Sequence, residues 1–365
     1  MDLTSEQKIK LITRNCQEVL TSEDLSELVN SGRVIRHYIG LEISGQVHLG
    51  TGLMNMGKIA DFLQAGVECH VFLADFHTYL NNKLDGTWES IRRASDTYFK
   101  HALIASCLCV GADPAKVNFI SGKDLYSTRF DHWETFMKVG KYITLSRNKR
   151  SISIMGKEAG DDVDMATLFY PPLQIADIYT MGINLAHAGM DQRKVHVVAR
   201  ETQKQMRPEE PIVCVHHNLI AGLTGPEKEG VNDNESLKMS KSKPSSAVFV
   251  HDSPEEIRSK LRAAYGPPKV IEHNPLLNWV KTLVFWGEEE GEFKIDREAK
   301  FGGNLEYKTY TQLEKDYADG ALFPLDLKNG LAEWLINKLG PARKYFEENE
   351  EAREGLKFIQ QFAKK

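Results

Sequence analysis

The sequence predicts an α/β protein, a parallel sheet covered by helices, followed by a mainly helical second domain. Three observations carry that reading. Short apolar runs alternate with helix-period stretches from about Arg33 onward. The length of 365 residues suits two domains. A polar, turn-rich stretch at 222–246 then interrupts the alternation.

Residues 34–41 read as a buried strand. The helix after it carries Leu53, Met56, Ile59, Ala60 and Leu63 at helical spacing, and Gly66 ends it. The run 69–74 suits a buried parallel strand, and 88–110 reads as a long helical stretch. Three more strands are expected at 117–120, 183–188 and 212–215, the last two separated by a helical stretch after Asp191. Repeated β-α-β units imply one parallel sheet with a ligand crevice at its carboxyl edge. The stretch 222–246, GLTGPEKEGVNDNESLKMSKSKPSS, reads as a mobile surface loop or linker. Beyond it Ser253 fits a helix N-cap, Pro254 the first helical position, and Glu255 and Glu256 the first turn. The domains are therefore set at 1–251 and 252–365.

Composition removes several classes. With 41% hydrophobic residues and a net charge of −5, the chain is no disordered polymer. Mean hydropathy is −0.39, and no apolar run approaches the ~20 residues of a membrane span. The opening MDLTSEQKIKLI lacks a signal-peptide pattern. Five scattered cysteines form no C-x-x-C pair, which points to a reduced, cytoplasmic protein without disulfide framework or zinc ribbon. Residues 252–365 hold 18 Lys and Arg against 21 Asp and Glu, so this domain is no generic polyanion binder. Basic residues gather at Lys141, Arg147, Lys149, Arg150 and Lys157, and again at Arg193, Lys194, Arg200, Lys204 and Arg207, a pattern that solvated helix faces also produce.

Walker A, H-E-x-x-H and G-x-S-x-G patterns are all missing from the sequence. What stands out is ISGQVHLGTG at 43–52, between the first strand and its helix. That turn puts Ser44, His48 and Gly50 where strand ends and helix N-termini favour phosphate. His48 there is either an ordinary turn histidine or a donor to a phosphate whose charge grows in the transition state. Lys238-Met239-Ser240-Lys241-Ser242 is the second piece: an exposed basic loop, or a clamp closing over polyphosphate.

Together the two pieces resemble the HIGH and KMSKS signatures of class I aminoacyl-tRNA synthetases. The segments HYIGLEISGQVHLG, ADFHTYLNNK, YPPLQIAD, AGMDQRKVHVVARE, KFGGN and PLDLKNGLAEWL further resemble the archaeal/eukaryotic-type tyrosyl-tRNA synthetase family. The resemblance runs from about residue 10 to 350. It implies a Rossmann-type catalytic domain, a helical anticodon-binding domain and a homodimer charging tRNA-Tyr with L-tyrosine. ATP is the energy source and Mg²⁺ assists, with no residue assigned as a metal ligand.

By that resemblance Ser44, His48, Lys238 and Lys241 stabilise charge. Tyr38 and Asp177 hold the substrate phenol, Tyr170, Gln174 and Gln192 take its ammonium and carboxylate end, and Ala74 and His77 line its pocket. Tyr170, Gln174 and Asp177 are spaced to share one helix face. Gly50, Thr51, Gly189, Asp191, Met239, Ser240 and Ser242 would meet ATP, with Asp191 accepting from ribose hydroxyls. Arg193 would meet the first acceptor-stem pair, and Phe301, Phe323 and Asp326 the anticodon. Core packing is the other reading of the two Phe. Two departures stand out: Thr51 replaces the usual second His of the first signature, and Ile43 stands where many relatives have Pro. A tryptophanyl-tRNA synthetase and a catalytically silent RNA-binding relative are the alternatives.

Overall fold

The computed structural model describes residues 3–157, 161–225, 239 and 246–362. Its main sheet contains β1 (Cys16–Leu20), β2 (Arg36–Leu41), β3 (Glu68–Leu73), β4 (Val117–Ser121), β5 (Leu185–Gly189) and β6 (Val213–His217). Their spatial order is β1-β6-β5-β2-β3-β4. All neighbours run parallel except β1, which pairs antiparallel with β6. The expected parallel strands all form, shifted by one or two residues at their ends.

Side chains alternate between two cores, as period-2 geometry requires of a sheet covered on both faces. Ile39, Val71, Leu185, Val213 and Val215 enter one cluster, while Tyr38, Phe72, Ala186 and Cys214 enter the other. The first cluster continues through Ile257, Leu261, Trp279, Leu331 and Ile359, so the chain beyond residue 252 packs against that face.

From β2 the chain winds first towards β3 and β4, then crosses back to β5 and β6, making β2/β5 the switch point. These two strands pair over only His37↔Leu185 and Tyr38↔Ala186, whereas β2 and β3 stay paired over six residue pairs. The separation of β2 from β5 after Tyr38 opens the crevice.

Between β2 and its helix Asn55–Gln64 lies a wide π turn, Gly50–Met54. The stretch expected at 88–110 is helical but not uniform, with a π turn Ser95–Phe99 between Trp88–Ala94 and Lys100–Cys109. Helix Pro254–Ala263 starts with a full capping box between Ser253 and Glu256.

The C-terminal region is mainly helical but also contains an antiparallel pair, β7 (Glu290–Ile295) and β8 (Leu305–Thr309). Its outer face carries Glu292, Lys294, Glu306 and Lys308, linked by ion pairs. Those charges mask the apolar alternation of Phe293, Ile295 and Tyr307 in the sequence. β1 escaped notice for a related reason, being a short edge strand without a buried run.

Candidate active site

The carboxyl ends of the strands surround a cavity of about 730 Å³. β2 brings Tyr38 and, one residue past its end, Glu42; the chain after β3 brings Ala74 and His77; β5 and β6 bring Gly189 and His217. Ser44, His48, Gly50, Thr51, Tyr170, Gln174, Asp191, Gln192 and Met239 line the same space. Residues drawn from widely separated parts of the sequence thus converge where a parallel sheet binds ligands.

At one end Tyr38 folds back along its strand until its hydroxyl covers Gly40. A Cβ at position 40 would lie 2.4 Å from that oxygen. Helix Tyr170–Thr180 presents Tyr170, Gln174 and Asp177 on one face, all buried. Tyr170 donates to Glu42 Oε1 at 2.8 Å, and Asn81 Nδ2 donates to the same oxygen at 2.8 Å.

Asp177 is not among the residues lining the cavity, but His77 is. His77 Nε2 lies 3.7 Å from Asp177 Oδ2 and His132 Nε2 lies 3.8 Å from Oδ1, too long for hydrogen bonds. Neither contact is a true ion pair. Burial holds the imidazole of His77 down at about 3 and that of His132 at about 4, while it pushes the Asp177 carboxyl well above its usual range. Tyr126 donates to Asp177 Oδ1 at 2.8 Å. Asp177 Oδ2, both ring nitrogens of His77 and Gln174 Oε1 are buried with no hydrogen-bond partner among the described residues. Such atoms are expensive to leave bare, so this corner is built for a ligand that brings its own polar group.

At the other end His48 is fixed by its own turn. Its Nδ1 accepts from the backbone N–H groups of Gly50 at 3.1 Å and Thr51 at 3.3 Å. A nitrogen accepting two donors carries no proton, which leaves the proton on Nε2. Thr51 Oγ1 lies 3.4 Å from that Nε2, so the residue that departs from the usual signature still touches the ring. The backbone beside His48 pairs with the segment that follows the KMSKS stretch, through Leu49 N–H to Val248 O and Val250 N–H to Val47 O, both 3.0 Å. Met239 is buried, its N–H bonded to Ile220 O at 2.8 Å. Lys238, Ser240, Lys241 and Ser242 lie outside the described residues.

Other expected residues stand elsewhere. Arg193 is outside the cavity lining, its Nε 2.8 Å from both carboxylate oxygens of Glu18. That guanidinium holds Glu18 below the usual carboxylate range. Gln192 donates to Ile154 O at 3.1 Å. Phe301 and Phe323 are 62% and 61% exposed, which removes core packing as their explanation. Asp326 accepts from Arg297 Nη1 at 3.2 Å. Glu42, Asn81, Tyr126, His132 and His217 were not singled out in the sequence. The positions of Glu42 and His217 at strand ends would have been the usable signal.

The arrangement is that of a nucleotide-activating α/β enzyme, and comparison with known proteins agrees. The family described as tRNA synthetases class I (W and Y) matches residues 30–340, and the chain belongs to that family. Within it the chain is similar to archaeal members. The tyrosine--tRNA ligase of Thermococcus sibiricus is 46% identical over 371 residues, spanning 97% of this chain and 98% of the relative. That of Pyrococcus furiosus is 47% identical with the same coverage. A solved tyrosyl-tRNA synthetase from Pyrococcus horikoshii, complexed with L-tyrosine, superimposes with a TM-score of 0.93 at 45% identity, covering 98% of this chain and 100% of that one.

Proposed function

We propose that this chain is a tyrosine--tRNA ligase, activating L-tyrosine with ATP and transferring it to tRNA-Tyr. One observation carries the choice of amino acid: the unpartnered buried atoms of Asp177 and His77 beside the cavity. A phenol satisfies them through its hydroxyl, whereas a phenyl ring leaves them bare. Tyr38 and Asp177 hold the phenol. Tyr170, Gln174 and Gln192 take the amino-acid end, and Ala74 and His77 wall the pocket.

In the first step a tyrosine carboxylate oxygen bonds to the α-phosphorus, and the bond from that phosphorus to the pyrophosphate oxygen breaks. The protein supplies no nucleophile. Ser44, His48, Lys238 and Lys241 stabilise charge on the phosphates, His48 through the Nε2–H its turn enforces. Gly50, Thr51, Gly189, Asp191, Met239, Ser240 and Ser242 hold ATP. Among the described residues no cluster of three or more His, Cys, Asp or Glu suits a metal, so Mg²⁺ would enter on the ATP phosphates and supply charge neutralisation. In the second step the 3′-terminal ribose of the tRNA takes the tyrosyl group.

The division into a catalytic domain, 1–251, and an anticodon-binding domain, 252–365, belongs to this reading. Phe301 and Phe323 offer exposed rings for stacking on bases, Asp326 an acceptor for a base edge, and Arg193 a contact to the acceptor stem. Helix Phe130–Tyr142 and the start of the next helix, Leu145–Ser151, expose Phe130, Met137, Tyr142 and Leu145, apolar side chains that a second copy of the chain would cover in a homodimer. Among the described residues no helix is long and apolar enough to cross a membrane. All five thiols are unpaired, which fits a reducing cytoplasm.

ATP–pyrophosphate exchange without tRNA, run with tyrosine, phenylalanine and tryptophan, tests the proposal. Exchange with tyrosine alone is expected. Exchange with tryptophan would overturn the assignment of Tyr38 and Asp177, and silence with all three would leave an RNA-binding relative.

A further inference from the structure

Three buried imidazoles cross the sheet in single file, one each from β2, β5 and β6. His37 Nε2 lies 3.3 Å from His187 Nδ1, and His187 Nε2 lies 2.8 Å from His217 Nδ1. His37 and His187 are completely buried, while His217, 6% exposed, ends the row in the wall of the cleft. Burial keeps all three rings neutral, His217 being held down at about 4.

A row of neutral imidazoles linked head to tail has two consistent proton arrangements, and its blind end decides between them. His37 Nδ1 is buried with no hydrogen-bond partner among the described residues. A buried N–H without an acceptor is rarer and costlier than a bare lone pair. The proton of His37 therefore sits on Nε2 and is donated to His187 Nδ1. That places the proton of His187 on Nε2, from which it is donated to His217 Nδ1. His217 is left with its own proton on Nε2.

Nε2 faces the nucleotide end of the cleft. An ideal Cβ built on Gly189 would lie 3.5 Å from His217 Nε2 and 2.8 Å from Asp191 Oδ1. A donor and an acceptor thus flank the backbone of Gly189, with Leu219 Cδ2 packed against the same patch, 2.7 Å from that Cβ position. We propose that His217 binds nucleotide, donating its Nε2–H to a ribose oxygen of ATP over Gly189, while His37 and His187 are positioning residues that fix its tautomer. Asp191 takes the complementary role, accepting from a ribose hydroxyl. The inference rests on the ligase reading for the identity of the ligand, but the tautomer itself does not depend on that reading.

Two measurements test it. Long-range ¹H–¹⁵N NMR of the free protein reads which nitrogen of His217 carries the proton. Nε2–H is expected, and Nδ1–H overturns the inference whatever the enzyme does. Pyrophosphate exchange then compares His217→Gln, whose amide nitrogen reaches the position of Nε2, with His217→Asn, whose amide reaches only that of Nδ1. The Asn variant should raise KM for ATP about five- to tenfold with the KM for tyrosine unmoved, and Gln should restore most of the loss. Equal KM values for ATP in the two variants would overturn the role in binding. His37→Phe removes the donor at the blind end. In that variant the NMR signature of His217 should become a mixture of tautomers, a change that a purely packing role would not produce. No exchange by the unaltered chain would sink the ligase reading alone, with the tautomer measurement still deciding the proton arrangement.

Discussion

The cleft and the C-terminal region treat polar and aromatic groups in opposite ways. Around the cleft, polar atoms are enclosed and left without partners, as at Asp177, His77 and Gln174. In the C-terminal region polar groups are largely paired at the surface, as Arg258 is with Glu333, while the rings of Phe301 and Phe323 are left in solvent. An enclosed orphan recognises a small molecule by completing its hydrogen bonds, so specificity comes from what a wrong ligand leaves bare. An exposed ring recognises a large, flexible partner by stacking, which tolerates imprecise placement.

The largest expected effect breaks the first half of this contrast. Asp177→Ala should cut tyrosine-dependent exchange by about a hundredfold or more, because the phenol loses its buried partner. An unchanged KM for tyrosine in that variant would refute the pocket assignment. Next, His48→Ala and Lys238→Ala should each slow adenylate formation about a hundredfold with little change in tyrosine affinity. A large loss of tyrosine binding in either would argue against phosphate roles.

Acid should weaken the first half selectively. The imidazoles held low by burial, among them His77, His132 and His217, belong to the sheet region. Their folded pKa values lie below the unfolded value of about 6.5. Between those values the unfolded chain binds more protons, so stability falls as pH drops through 6.5 towards 4. Denaturant titrations should show a loss of at least about 2 kcal/mol between pH 7 and pH 5. Asp177, Asp75 and Asp96 oppose this trend, since burial raises their pKa values and so stabilises the fold increasingly as pH falls, but the imidazoles held low outnumber them. A flat profile would mean that these rings are not neutral and buried. The smallest effect concerns the second half: Phe301→Ala or Phe323→Ala should raise KM for tRNA about tenfold through the charging step. No change in that KM would return the rings to incidental exposure.

Much of the first half was legible in the sequence because its signals are local. Parallel strands buried on both faces leave continuous apolar runs, and the turn carrying Ser44, His48 and Gly50 announces itself between a strand and a helix. Tyr170, Gln174 and Asp177 were readable as one helix face from spacing alone. What escaped depends on contacts made across the fold. The glutamate at position 42 matters because Tyr170 and Asn81 converge on it, and His217 because two other strands place histidines beside it. Their places at strand ends are legible in the sequence, but neither of these relations is. Arg193, given an acceptor-stem role by resemblance alone, is held by Glu18 on an edge strand that its own stretch of sequence does not announce.

The helix Asn55–Gln64 follows the turn that carries His48 and meets the C-terminal region along its flank. There a Cβ on Gly57 would fall 2.3 Å from the ring of Trp286, whose Nε1 donates to Asp61 Oδ2 on the same helix at 2.9 Å. The indole is keyed into the notch that the missing side chain leaves. Any larger residue at 57 would push the two halves apart, and any smaller one at 286 would leave a void between them. In evolutionary terms, positions 57 and 286 are free to drift only as a pair.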